Sequence, residues 1–167
     1  MPALTNPKHE PSELRAVLRL CPVTWKFIWL KDIGRAKQGQ IAGTVQNNGY
    51  RIIRFEGRCY LEHHLVWFFF YGAWPPQLDH RNGNRSDNDP SNLRLAGNSE
   101  NAANSKTFST NTSGFKGVSI TPTGRWRAYI MKDGKQIFLG VFSDPQAAHE
   151  AYQLAAAKFF GEFARAA

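Results

Sequence analysis

The chain has 167 residues, 42% of them hydrophobic, which is room for one ordinary domain or two small ones and excludes a wholly disordered protein. Lysine and arginine number 21 against 13 acids, a formal charge of +8, so the expected partner is a polyanion: nucleic acid rather than a membrane surface, since no basic amphipathic helix is evident. Two cysteines, Cys21 and Cys59, lack metal-ligand spacing, the first twenty residues lack a signal-peptide core, and the longest apolar run, residues 65–70, is too short to span a bilayer; a soluble protein of the cytoplasm is expected.

In chain order, Ser12 is placed to cap a short helix reaching about Leu20, and residues 25–30 read as a strand. Residues 44–46 and 50–55 read as strands joined by Asn47-Asn48-Gly49, because Asn-Gly suits the positive φ of a hairpin turn. Residues 59–61 are a further strand. Residues 62–71 read as a helix, with Leu61, Leu65, Phe68 and Phe69 at helical spacing and Gly72 closing it. Residues 78–92 are polar and loop-like, and residues 92–95 form a short strand. A helix follows, capped by Asn98 or Ser99. The Ser-, Thr- and Asn-rich stretch 105–114 reads as a domain boundary. Beyond it come strands at 115–120, 125–132 and 135–142, the last two joined by Asp133-Gly134. The final helix starts at Asp144-Pro145, with Ala147, Ala148, Ala151, Leu154, Ala155 and Phe159 lining it and Gly161 ending it. Both parts are basic, +5 for residues 1–110 and +3 for the remainder.

Hydrolysis of a phosphodiester needs a base for water, a cation for the developing charge and a scaffold that aligns them. Adjacent Asp79 and His80 offer a hard oxygen ligand and an imidazole base. Alone, such a pair is usually a turn beside a surface histidine. The residues that follow change this: Asn92 and then Asn101. His63-His64-Leu65-Val66-Trp67, Asp79-His80-Arg81-Asn82-Gly83-Asn84, Asn88, Ser91-Asn92-Leu93-Arg94 and Ser99-Glu100-Asn101 occur in an order that resembles the HNH (His-Asn-His) family, phage-type homing endonucleases in particular, over roughly residues 20–105. The resemblance implies a ββα-metal nuclease domain, with His80 as general base and Asp79 and Asn101 as ligands of Mg²⁺ or Mn²⁺. It implies that Asn92 holds the loop and helps fix the His80 ring. Asn101 stands where the family name expects histidine, which disfavours zinc; Asn104 is the alternative register. His63 is expected to pack or to touch phosphate, and His9 and His149 to lie at the surface.

In the last segment, Trp126, Ala128 and Ile130 should face the helix, leaving Arg125, Arg127, Tyr129 and Met131 on the open face. Ser113-Gly114-Phe115-Lys116-Gly117-Val118, Gly124-Arg125-Trp126-Arg127-Ala128, Phe138-Leu139-Gly140-Val141-Phe142, Ala147-Ala148 and Ala151-Tyr152 resemble the Apetala/ethylene-response-factor (ERF) domain. The resemblance implies a three-stranded sheet on one helix, set in the DNA major groove through Lys116, Ser119, Thr121, Arg125, Tyr129, Met131, Gln136 and Phe138; Arg127 joins them on geometry. Plant members carry arginine where Ser119, Thr121 and Met131 stand, so a different specificity is expected.

The expected protein is therefore α+β, with a nuclease domain at 1–105, a linker at 106–112 and a DNA-binding domain at 113–167. The expected function is metal-dependent nicking of double-stranded DNA by a monomer, a dimer being left open. The alternative is a non-catalytic DNA-binding regulator on a degenerate nuclease fold.

Overall fold

The structure is a computed structural model that describes residues 10–107 and 110–165; His9 lies outside them. It is a mixed α/β chain with four small antiparallel sheets. Two compact units divide it, Met1–Leu95 and Ala96–Ala167. No described helix is long and apolar enough to cross a membrane.

The first unit opens with α1 (Pro11–Val17), β1 (Leu18–Leu20) and β2 (Phe27–Trp29), the two strands being paired. Here the expected helix stops early and its cap is Glu10 rather than Ser12: the Glu10 N–H donates to the Glu13 carboxylate at 2.7 Å. From Leu18 the chain pairs with β2 instead, burying Leu18, Phe27 and Trp29. A three-stranded sheet follows in the order β3 (Thr44–Val45), β4 (Arg51–Phe55), β5 (Arg58–Leu61). Helix α2 (Glu62–Tyr71) runs over the expected residues and ends at Gly72, whose φ of 76° closes it in the left-handed region. Leu14, Phe27, Ile53, Tyr60, Leu65 and Val66 form the centre of the core. Next, β6 (Leu78–His80) pairs with β7 (Leu93–Leu95). The expected loop thus begins only at Arg81, because residues 78–80 are buried and ladder-bonded despite their polarity.

The second unit starts with α3 (Asn98–Asn104), whose N-cap is Gly97 and not Asn98 or Ser99; Glu100 reaches back to accept from the Gly97 N–H at 2.5 Å. Ala103 packs in a cluster with Ile130, Tyr152, Ala156 and Phe160, and Ser99 Oγ accepts from the Asp133 N–H at 2.9 Å. These contacts place α3 with the second unit, ahead of the expected boundary at 106–112. Strands β8 (Val118–Ile120), β9 (Trp126–Lys132) and β10 (Lys135–Phe142) form one sheet with β9 central. Asp133 and Gly134, at φ 50° and 74°, make the expected hairpin turn.

Helix α4 (Pro145–Phe160) packs on this sheet, and Asp144 caps it by accepting from the Ala147 N–H at 2.9 Å. Its buried stripe is Ala148, Tyr152, Ala156 and Phe160, an i, i+4 row. Leu154, expected to line the helix, is 75% exposed. His149, expected at the surface, is buried against Phe115 and Tyr152. The two large aromatic side chains set the helix phase, and Leu154 loses to them.

Candidate active site and nucleic-acid face

Hairpin register puts Arg94 directly opposite Asp79. Facing residues of an antiparallel pair project to one side, and the guanidinium uses this: Nε and Nη2 both donate to Asp79 Oδ2, at 2.9 and 2.8 Å. Both side chains are buried, so neither charge could be tolerated alone.

His80 is 3% exposed. Its Nε2 lies 3.0 Å from Asn88 Oδ1, and Asn88 Nδ2 donates to Glu62 Oε2 at 2.7 Å. Lys26 Nζ donates to the same Oε2 at 3.3 Å and to the Ser86 carbonyl at 3.1 Å, while Arg51 Nε stands 3.7 Å from Oε2. Glu62 is the first residue of α2, where the helix dipole favours an anion. Burial pushes the Glu62 carboxyl up, against Lys26, Arg51 and Asn88, which all favour its charged form. Burial also pushes the His80 imidazole down, opposed by the Asn88 bond and by Asp79 and Asp87, so the neutral ring is favoured.

The ring of His80 is lined by Tyr50 and His63, with centroids 5.9 and 5.0 Å away. His63 is buried under Tyr50, a packing position. Burial takes His63 well below the usual histidine range, and burial together with His80 takes His64 down to about 4.

Asn92 holds the 81–92 loop. Its Oδ1 accepts from the Asn82 N–H at 3.0 Å, and its Nδ2 donates to Asn82 Oδ1 at 3.1 Å and to the Asp87 carbonyl at 2.7 Å. The loop is also tied to the β3–β4 turn, through Arg85 to the Asn48 carbonyl and Ser86 Oγ to the Gly49 carbonyl. Trp25 Nε1 donates to Asp89 at 2.9 Å. Asn101 and Asn104 stand on α3 in the second unit, where the Asn101 N–H donates to the Gly97 carbonyl at 3.0 Å. Among the described residues no group of three His, Cys, Asp or Glu side chains is arranged to hold a metal ion.

Sequence reasoning passed over Glu62 and Lys26, and took Asn88 and Arg94 only as parts of motifs. Arg94 was within reach, since pairing residues 78–80 with 93–95 puts it opposite Asp79. Lys26 and Glu62 carry no local signal: their partners are 36 and 26 residues away.

On the second unit, the sheet register aligns Ser119, Arg127 and Val141 in one row, Tyr129 with Phe138 in the next, and Met131 with Gln136 in the third. Ala128 and Ile130 are buried on the other face, as the alternation predicts. Arg125 and Arg127 are exposed, as are Met131, Gln136 and Phe138. Thr121 is spent on the β8–β9 turn, where its Oγ1 accepts from the Arg125 N–H at 3.1 Å. Lys116 departs from expectation. Its Nζ donates to the carbonyls of Ala102, Ala103 and Ser105 at 2.7, 2.6 and 2.8 Å, which caps the end of α3. All three ammonium protons are consumed within the unit, and burial holds the group down at about 8.

Residues 60–103 match the family model described as HNH endonuclease. This segment is thus similar to an HNH endonuclease domain. The chain is 29% identical over 119 residues to an uncharacterized HNH endonuclease, L560, of Acanthamoeba polyphaga mimivirus, covering 70% of this chain and 62% of that one. It is 40% identical over 77 residues to Protein 3.8 of Escherichia phage T7, covering 44% and 64%. Over 51 residues it is 45% identical to the AP2-like ethylene-responsive transcription factor TOE2 of Arabidopsis thaliana, covering 30% of this chain and 10% of the plant protein. The chain thus spans under two thirds of the length of each of these relatives. No solved structure matches it.

Proposed function

We propose that the chain is a metal-dependent DNA endonuclease of the homing HNH type that nicks double-stranded DNA, with the sheet of the second unit holding the target. The observation that carries this is the buried socket of His80: a ring favoured neutral, held at Nε2, beside the carboxylate of Asp79. A neutral imidazole fixed at one nitrogen is suited to take a proton from water.

Asp79 and Asn101 are the proposed ligands of Mg²⁺ or Mn²⁺. Both are hard oxygen donors, the ligand type such an ion takes. Bound there, the ion would neutralise charge on the phosphate and on the leaving oxygen. Asn92 is proposed to serve by holding the 81–92 loop together through its bonds to Asn82 and Asp87. The family match runs through α3 to residue 103, so the nuclease segment is proposed to reach residue 105, with a linker at 106–112 and the DNA-binding segment at 113–167. One His80 per chain makes a monomer a nicking enzyme.

The test is relaxation of supercoiled plasmid with Mg²⁺ and with chelator. Nicking only with metal, and loss of nicking but not of DNA binding in His80→Ala, are expected. A parent-like His80→Ala would remove His80 from the role of base. DNA binding without nicking in the parent would favour a regulator that keeps a degenerate nuclease fold.

A further inference from the structure

We infer that Glu62 is a positioning residue: acting through Asn88, it fixes His80 as the tautomer protonated at Nε2, so that Nδ1 is the nitrogen that receives the proton from water. This rests on His80 being the base.

The amide of Asn88 has a donor end and an acceptor end, and Glu62 dictates which faces which way. Glu62 Oε2 already takes the Lys26 ammonium at 3.3 Å, and Asn88 lies 2.7 Å from the same oxygen. An oxygen with an ammonium directed at it is an acceptor whether or not the carboxyl is ionised, since a proton on this group would sit on Oε1. Turned the other way, Asn88 would set two oxygen lone pairs against each other at 2.7 Å in a buried site. Nδ2 therefore faces Glu62 and Oδ1 faces His80. An amide oxygen 3.0 Å from the ring needs a proton on Nε2. In a neutral imidazole the lone pair is then on Nδ1. Lys26, Glu62, Asn88 and His80 thus form one line of polarity, and all but Lys26 are buried.

The full-length chain labelled with ¹⁵N-histidine, held with chelator at neutral pH, reports the tautomer from the His80 ring nitrogen shifts. The expected result is protonated Nε2 and unprotonated Nδ1. A parent protonated at Nδ1 overturns the inference, whether or not any variant folds. Nicking kinetics supply the second arm. Glu62→Gln keeps an oxygen toward Asn88 and should stay within about threefold of the parent. Glu62→Met and Asn88→Leu remove the acceptor at their positions. Each should lower kcat by about 10- to 100-fold with KM for DNA unchanged, and each should give tautomer-averaged His80 shifts. If Glu62 serves only to neutralise Lys26 and Arg51, Gln and Met at position 62 will lose activity together while Nε2 stays protonated, and the inference fails. A parent-like His80→Ala would sink the base reading instead, and the spectra alone would then decide the tautomer.

Discussion

Arg94 places two of its hydrogen bonds on a single oxygen of Asp79, Oδ2, from the residue directly across the β6–β7 hairpin. Pairing a buried carboxylate in this way contributes little net stability, but removing one partner strands the other charge. Arg94→Ala should therefore cost about 3–5 kcal/mol in urea unfolding followed in chelator. Arg94→Lys should recover only part, because an ammonium cannot reproduce two bonds in one plane. A loss below about 1 kcal/mol for Arg94→Ala would mean that the pair is solvated in solution.

The pH dependence of stability follows from His64. Its folded value of about 4 lies below the ordinary histidine value of 6.5, so the unfolded chain binds more protons between the two. Stability should be full above pH 6.5 and fall as pH drops toward 4, by on the order of 3 kcal/mol from this residue. His63 is depressed for the same main reason and adds in the same direction. Urea midpoints across that range should slope upward with pH, and His64→Gln should flatten the slope. An unchanged slope would show that His64 stays hydrated when folded.

Much of this architecture was legible because its signals are local. Asn48-Gly49 and Asp133-Gly134 demand positive φ and mark their turns; Gly72 and Asp144 end and begin helices; the alternation of Trp126 to Met131 sorts the two sheet faces. The His80 socket was not legible. Glu62, Asn88 and Lys26 meet through tertiary packing, and a polar side chain reads as solvent-facing until its partner is known. The same blindness put His149 on the surface and gave no sign of the three carbonyls that Lys116 meets. Leu154 failed differently: a helix of small residues has a weak phase, and Tyr152 and Phe160 decided it.

Gly117 tests how tightly α4 sits on its sheet. Its φ is +72°, and a Cβ there would lie 2.2 Å from Tyr152 Cδ2 and 2.6 Å from the Tyr129 carbonyl oxygen. Neither neighbour can yield easily, since one is a buried ring and the other belongs to the ladder. Gly117→Ala should lower the stability of the second unit by more than about 2 kcal/mol, combining left-handed strain with overpacking. Hydrogen exchange should show the loss in β8, β9 and α4 while Ile53, Tyr60 and Leu65 of the first unit stay protected. Wild-type melting in Gly117→Ala would show that the sheet and helix can separate at no cost.

On the proposed reading, in which the open sheet face holds DNA, that face offers both charge and apolar shape. Arg127 is exposed in one row of the register; Phe138, 62% exposed, stands in the next beside Tyr129, and Met131, 47% exposed, lies in the third. A cation that meets phosphate releases a counterion, so its removal weakens all duplexes alike. Arg127→Ala should reduce affinity on every sequence tried and make the salt slope shallower by about one. An apolar side chain releases no counterion, and in the major groove it meets base edges such as the thymine methyl. Phe138→Ala should therefore leave the slope unchanged and narrow the difference in affinity between duplexes. Fluorescence anisotropy between about 50 and 200 mM salt, with chelator present to prevent cutting, separates the two effects. Equal losses and equal slopes in both variants would place the DNA contact elsewhere on the chain.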